Sequence, residues 1–272
     1  MNEPRVYKNS PFMFIFLLLV FGVAFVGLFN LWLQDSGIFL LPIGLGSGIL
    51  FVVLLLSVTS KTIISSDEIS TQNLLGTKTL RWSEINQVSG RGYAIKLQDI
   101  DRGLTVAPSP QLPGYHEVVD WIGLQRPDLF SPINHAEMSR SWLQTFSYIA
   151  FGFVFIGMGL FAYLQESNTF FPFLFISVVG IGFIGMTLLA PQSLSIQGNS
   201  LMIRYFFNQK TLSANEITSV DLRFTQTRNG KQYYATLTLL NRKTMRISGF
   251  GSNLPVVYLV LKNWHKANTG IH

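Results

Sequence analysis

The four histidines, His116, His135, His265 and His272, are the imidazoles available for chemistry, and no two stand three or four positions apart. A helical metal or metalloprotease pair needs that spacing, because it sets two ring nitrogens on one face. With no Cys, there is no thiolate ligand, no disulfide and no sulfur nucleophile. The acidic pairs Asp67-Glu68 and Asp99-Ile100-Asp101 fall in predicted turns, where short carboxylates bond nearby backbone rather than share a proton. Gly90-Arg91-Gly92 and Gly249-Phe250-Gly251 open neither a phosphate loop nor a dinucleotide fingerprint, and no G-x-S-x-G occurs. The expectation is a chain that is not an enzyme, with no catalytic residue, metal or cofactor. His265, beside Trp264, reads as a surface or interface residue.

Cations are the remaining chemical resource, and they are unevenly placed. Residues 59–142 carry eight Lys/Arg against nine Asp/Glu, whereas residues 191–272 carry ten against two, a net charge of +8. Arg204, Arg223, Arg228, Lys231, Arg242, Lys243 and Arg246 are the candidate binding residues for an anionic lipid headgroup or an acidic partner. Arg228 and Lys231 flank the predicted turn at Asn229-Gly230, and Arg242 and Lys243 occupy another turn. Turns gather at the ends of an antiparallel barrel, so a basic rim is expected there. Beside an anionic leaflet each such cation is worth about 1 kcal/mol. The alternative is the bias toward cations that any cytoplasmic segment next to a membrane span shows. A nucleic-acid partner is not expected: the isoelectric point of 9.6 would suit one, but no basic stretch interleaved with aromatics supports it.

Four apolar segments must position these residues. The chain is 48% hydrophobic and 12% charged, against about 25% charge in an average soluble domain. Residues 12–33, 38–58, 143–164 and 170–190 contain no charge. A bilayer core of about 30 Å requires about 20 helical residues, so each run is read as a span. Very short loops, at 34–37 and 165–169, join them into two antiparallel hairpins. Those loops hold Asp35 and Glu166 and no cation, while Arg5, Lys8 and the two long polar segments hold them all. The positive-inside rule then sets the N-terminus and both polar segments in the cytoplasm, for a multi-pass protein of the inner, cytoplasmic membrane. A cleaved signal peptide is not expected, since the first run is too long for one and a second span follows at once. Gly44-x-x-x-Gly48 has the spacing of close helix packing, although glycine is also simply common in membrane helices.

The second half repeats the first at an offset of 132 residues: Lys78-Thr79-Leu80 falls on Lys210-Thr211-Leu212, and Glu84-Ile85-x-x-Val88 on Glu216-Ile217-x-x-Val220. A repeat of that length is a whole domain. The first polar segment reads as strands at 61–64, 69–75, 77–81, 92–97 and 104–107. The second reads as strands at 201–207, 210–213, 220–226, 232–240 and 244–248. Helices are expected over 114–124 and, capped by Asn253, over 254–267. Several strands and one terminal amphipathic helix make a small barrel or sandwich plugged by a helix.

The run ISTQNLLGTKTLRWSEINQV, residues 69–88, resembles the signature of bacterial pleckstrin-homology-like membrane proteins, in which a membrane hairpin precedes a small domain. Trp82, Glu84, Ile85 and Val88 match the motif, and Glu216, Ile217 and Val220 match it again, with Ala214 where the first copy has Trp82. EVVDWIGLQRPDL, residues 117–129, is similar to the family's closing helix. The resemblance covers both polar segments. It implies membrane anchoring and interaction rather than a reaction, and a structural role for the motif residues.

The expected fold class is therefore membrane α + β: four transmembrane helices in two hairpins, each hairpin followed by a small PH-like β-barrel or sandwich with a C-terminal helix. The expected division is a cytoplasmic N-terminus over 1–10, hairpin 11–58, PH-like domain 59–130, linker 131–142, hairpin 143–190 and PH-like domain 191–268. The expected function is a non-enzymatic scaffold or accessory subunit in the bilayer, presenting two domains to a protein partner or to copies of itself. The alternative is a module that senses anionic lipid headgroups through its basic second domain.

Overall fold

The computed structural model describes residues 3–34, 40–140, 142–165, 170–228, 230–248 and 254–270. The loops joining the apolar runs, the turn residue Asn229, the predicted cap Asn253 and His272 lie outside the described residues. The fold is mixed α + β, with apolar helices and several small antiparallel sheets. It forms two compact units, residues 1–88 with 96–121, and residues 89–95 with 122–272.

In the first unit, β1 (Arg5–Lys8) precedes helices α1 (Pro11–Gln34) and α2 (Leu40–Val58), and β2 (Lys61–Ile64) follows them. β1 and β2 are antiparallel neighbours, from Arg5 opposite Ile64 to Lys8 opposite Lys61. The apolar hairpin is thus the connection between two adjacent strands of one sheet. The sheet continues through β3 (Glu68–Asn73) and β4 (Gly76–Arg81). The Asn9 amide donates to the carbonyls of Ser57 at 3.1 Å and Val58 at 3.2 Å, satisfying acceptors that the end of α2 leaves open. Phe21 and Phe25 of α1 meet Phe51 of α2. Further along the chain, β5 (Gln87–Arg91), β6 (Ala94–Asp99) and β7 (Leu104–Val106) form a three-stranded sheet whose residues 89–95 are counted with the second unit, and α3 (Tyr115–Gln125) follows. Ile64, Ile69, Leu80, Leu97, Val106, Val118 and Val119 form the core.

The second unit repeats this order at the same offset. β8 (Glu137–Ser139), α4 (Trp142–Gln165), α5 (Phe170–Leu189) and β9 (Ser193–Gln197) reproduce strand, helix pair and strand, and β8 pairs with β9. β10 (Ser200–Arg204) and β11 (Gln209–Ser213) complete that sheet, in the registers of β2–β3 and β3–β4 shifted by 132. The long hairpin of β12 (Ile217–Thr227) and β13 (Gly230–Leu239), with β14 (Thr244–Ile247), forms the three-stranded sheet. α6 (Leu254–Thr269) packs Val257, Val260, Leu261 and Trp264 inward.

Several expectations change. Residues 1–10 and 131–142, read as a terminus and a linker, contain β1 and β8. These strands are three or four residues long and too short for an alternating pattern to register. β5 and β9 were likewise not anticipated. The strand expected over 201–207 stops at Arg204, and its apolar continuation is a turn. His265 is buried, with Nε2 2.7 Å from the Ile217 carbonyl, rather than on the surface.

Among the described residues, three helical stretches are long and apolar enough to cross a membrane: Pro11–Trp32, Thr145–Gln165 and Phe170–Leu189. Ile43–Val58 of α2 is apolar but shorter. In the second pair the helices close tightly. A methyl group on Gly152 would sit 2.8 Å from the Gly180 carbonyl, and one on Gly180 would sit 2.6 Å from that of Gly152. A methyl group on Gly44 or Gly48, by contrast, would meet nothing within 4 Å among the described residues, so their spacing does not serve packing inside this unit.

Candidate functional site

The motif residues hold local structure. In each unit a single helical turn follows the sheet, at Trp82–Glu84 and Ala214–Glu216. The Glu84 carboxylate accepts the Arg81 N–H at 3.2 Å, and the Glu216 carboxylate accepts the Ser213 N–H at 2.8 Å. Each carboxylate reaches back three residues to satisfy the turn's open donor. Glu84 also meets Arg102 at 2.9 Å. Ile85, Ile217 and Val220 are buried, and Val88, just after β5 begins, is half-buried.

The second unit contains a cavity of about 430 Å³ at the foot of the α4–α5 pair. That is within the usual range for small-molecule sites. Phe183, Met186 and Thr187 line it from the last turns of α5, Thr225, Gln232, Tyr233, Tyr234 and Arg246 from the three-stranded sheet of β12–β14, and Ser248 from just after β14. Tyr93, Tyr148, Ala190 and Arg140 also line it, and no Asp or Glu is among the described lining residues.

Arg140 stands between β8 and α4. Its backbone N–H donates to Gln192 at 2.8 Å, and the Gln192 amide donates to the carbonyls of Thr187 at 3.0 Å and Ala190 at 3.1 Å. One glutamine therefore joins the end of α5 to Arg140, the residue that follows β8. The Arg140 guanidinium lies 5.6 Å from the centre of the Tyr148 ring. Its Nε is buried with no hydrogen-bond partner among the described residues, an arrangement that costs free energy until an acceptor arrives. Burial draws the Arg140 pKa below the ordinary arginine value, although the Tyr148 phenol opposes this.

Arg246 faces the same cavity from β14. Its guanidinium stacks 3.7 Å from the centre of the Tyr234 ring, which fixes a long side chain by cation–π attraction. Its Nη2 reaches Thr225 Oγ1 at 3.5 Å. Burial raises the phenols of Tyr93 and, to about 12, Tyr233, so both stay protonated at neutral pH. The cavity thus combines two guanidiniums, phenols and hydroxyls with an apolar floor from α5. Such a set is suited to phosphate oxygens on an amphiphilic molecule.

Of the seven candidate cations, only Arg246 lines the cavity. Arg223 pairs with Asp221 at 3.5 Å. Lys231 lies 5.2 Å from the Phe224 ring centre, with its pKa lowered by burial. Arg204, Arg228, Arg242 and Lys243 are exposed on strand or turns. The structure therefore does not gather the expected rim into one site. Arg140 was missed because it lay in the expected linker. Its signal was its position, the last cation before an apolar run and the match of Lys8 at the repeat offset.

Comparison with known proteins finds no matching family model, no matching curated protein and no matching solved structure.

Proposed function

We propose that this chain is a non-enzymatic, multi-pass membrane protein whose second unit binds the anionic headgroup of a phospholipid between Arg140 and Arg246. The observation that supports this reading is Arg140, whose Nε is buried and unpartnered among the described residues, in the wall of a cavity that a second arginine also lines, with no carboxylate among the described lining residues. The cavity's apolar floor belongs to the final turns of α5, where a spanning helix leaves the hydrocarbon. A lipid there would have its phosphate at the arginines and its chains along the helix.

In this proposal all four apolar helices span. α2 has 19 residues, about 28 Å at 1.5 Å per residue, and its partner α1 is longer. Each polar half is a pleckstrin-homology-like barrel. A four-stranded sheet, a three-stranded sheet and a closing helix, found twice, support that reading, as does the shared motif turn. Both halves face the cytoplasm of the inner membrane.

The scaffold reading draws on a different observation. The open space beside Gly44 and Gly48, four residues apart on one face of α2, leaves room for a helix of another subunit.

Lipid retention by the purified full-length protein, read by native mass spectrometry with added phosphatidylglycerol and phosphatidylcholine, tests the proposal. Arg140→Gln and Arg246→Gln should each weaken phosphatidylglycerol binding about tenfold or more, since a charge-assisted hydrogen bond is worth about 1.5–3 kcal/mol. Arg223→Gln should leave it unchanged. Equal retention by the Arg140→Gln/Arg246→Gln double variant would reject the site.

A further inference from the structure

Two-residue hairpin turns ordinarily use Asn, Asp or Gly, because these residues tolerate the backbone the turn demands and stay hydrated. Both units break this rule at the same place. In β3–β4, Asn73 pairs with Gly76, so Leu74-Leu75 is the turn. In β10–β11, Arg204 pairs with Gln209 and the Tyr205 N–H bonds the Asn208 carbonyl, so Phe206-Phe207 is the turn. The two pairs match at the repeat offset of 132. Their exposures are 60% and 80% for the leucines, and 58% and 76% for the phenylalanines. The two phenylalanine rings pack edge to face with each other.

Strand register shows where these tips lie. α2 ends at Val58 and β2 starts at Lys61, which stands opposite Gln72. The Leu74-Leu75 turn therefore lies just beyond, level with the end of α2. In the second unit β9 starts at Ser193 opposite Arg204, and the Gln192 N–H donates to the Arg204 carbonyl. Phe206-Phe207 thus lies beside the residues that leave α5. Both tips return the chain to the place where it emerged from an apolar helix.

We infer that the two turns are membrane anchors: each inserts its apolar pair into the interfacial layer of the bilayer, next to the helix from which its sheet emerges. Insertion would hold each sheet against the leaflet at a second point and restrict its rotation about the helix exit. Lys78 and Arg204, in the strands behind the tips, can meet anionic phosphates. The inference rests on the apolar helices spanning a membrane. It does not depend on what the cavity binds.

Because the chain has no Cys, a single introduced cysteine carries a single nitroxide. Full-length Leu75→Cys and Phe207→Cys variants would be spin-labelled in phosphatidylcholine–phosphatidylglycerol vesicles. Collision with oxygen and with a water-soluble nickel chelate reports depth. References are Asn199→Cys, at the opposite end of the β9–β10 pair, and Phe175→Cys, within α5. Labels at 75 and 207 should show an oxygen-to-nickel ratio several-fold above that at 199 and below that at 175. If 175 reads lipid while 75 and 207 match 199, the anchors are rejected and the spanning helices stand. Exclusion of both oxygen and nickel at the tips would place protein over them, and also rejects the anchors. A water-like signal at 175 overturns the spanning helix and the inference with it.

Discussion

Trp82 and Ala214 occupy equivalent positions, yet both units place an indole at the same kind of carbonyl. Trp82 Nε1 donates to Ser65 at 3.1 Å, from the turn that follows the sheet. In the second unit Ala214 leaves that position small, and Trp264 of α6 donates to Gly198 at 2.7 Å. The backbone bond is kept in both: the Trp82 N–H reaches Asp67, and the Ala214 N–H reaches Asn199. The motif's missing tryptophan is thus supplied from the closing helix, where it is 1% exposed. Trp264→Ala should destabilise the protein by about 3–5 kcal/mol, the usual cost of truncating a buried aromatic. Trp264→Phe should cost far less, near the ~1 kcal/mol of the lost hydrogen bond plus local repacking. Denaturant midpoints of the two variants check this, and equal midpoints would deny Trp264 a core role.

The two helix pairs have similar composition but different packing. Gly152 and Gly180 bring α4 and α5 into backbone contact, and Gly159 lies against Phe173. Tyr163 also stacks on Phe173. The apolar pattern cannot distinguish these glycines from Gly44 and Gly48, because all sit in uncharged runs. The difference lies in which face each helix turns to its partner. Gly180→Ala forces a methyl into the Gly152 carbonyl and should destabilise the pair by about 1–3 kcal/mol. Gly44→Ala meets open space and should stay within about 0.5 kcal/mol. Unfolding in increasing detergent strength, followed by proteolysis, separates the two; similar losses would show that Gly44 has a packing role as well. The pair with the tighter contact is also the one that supplies the cavity floor.

For the molecule as a whole, each apolar hairpin is an insertion between neighbouring strands, so both of its ends are tied to one sheet. Asn9 in the first unit and Gln192 in the second bond the carbonyls at the helix ends. In the proposed topology both polar halves are cytoplasmic and the two hairpin loops lie on the opposite side of the membrane. Single cysteines at positions 36 and 168, in loops outside the described residues, test that arrangement. A membrane-impermeant maleimide applied to intact cells should label both. Protection of either until the membrane is broken would place its loop in the cytoplasm and invert that hairpin. The cations that set residues 191–272 apart do not gather at one place: Arg246 lines the cavity with Arg140, which lies outside that segment, whereas most of the others are spread over exposed strand and turns.

What the sequence by itself determined follows from short-range physics. Charge-free runs about 20 residues long gave the apolar helices, and a 132-residue offset identified two copies of one unit. Alternation and turn chemistry located most of the strands, and the spacing of Val257, Val260, Leu261 and Trp264 located the closing helix. The tertiary structure alone decided the pairings. β1 and β8 are too short to carry a pattern, and they became strands because β2 and β9 offer open edges after a long excursion. Phe206-Phe207 resembled strand because apolar residues favour it, until register made the pair a turn. Arg140 and Arg246 are more than a hundred residues apart and share no local signal. Only folding brings them to one cavity, where burial leaves a guanidinium nitrogen in need of an acceptor.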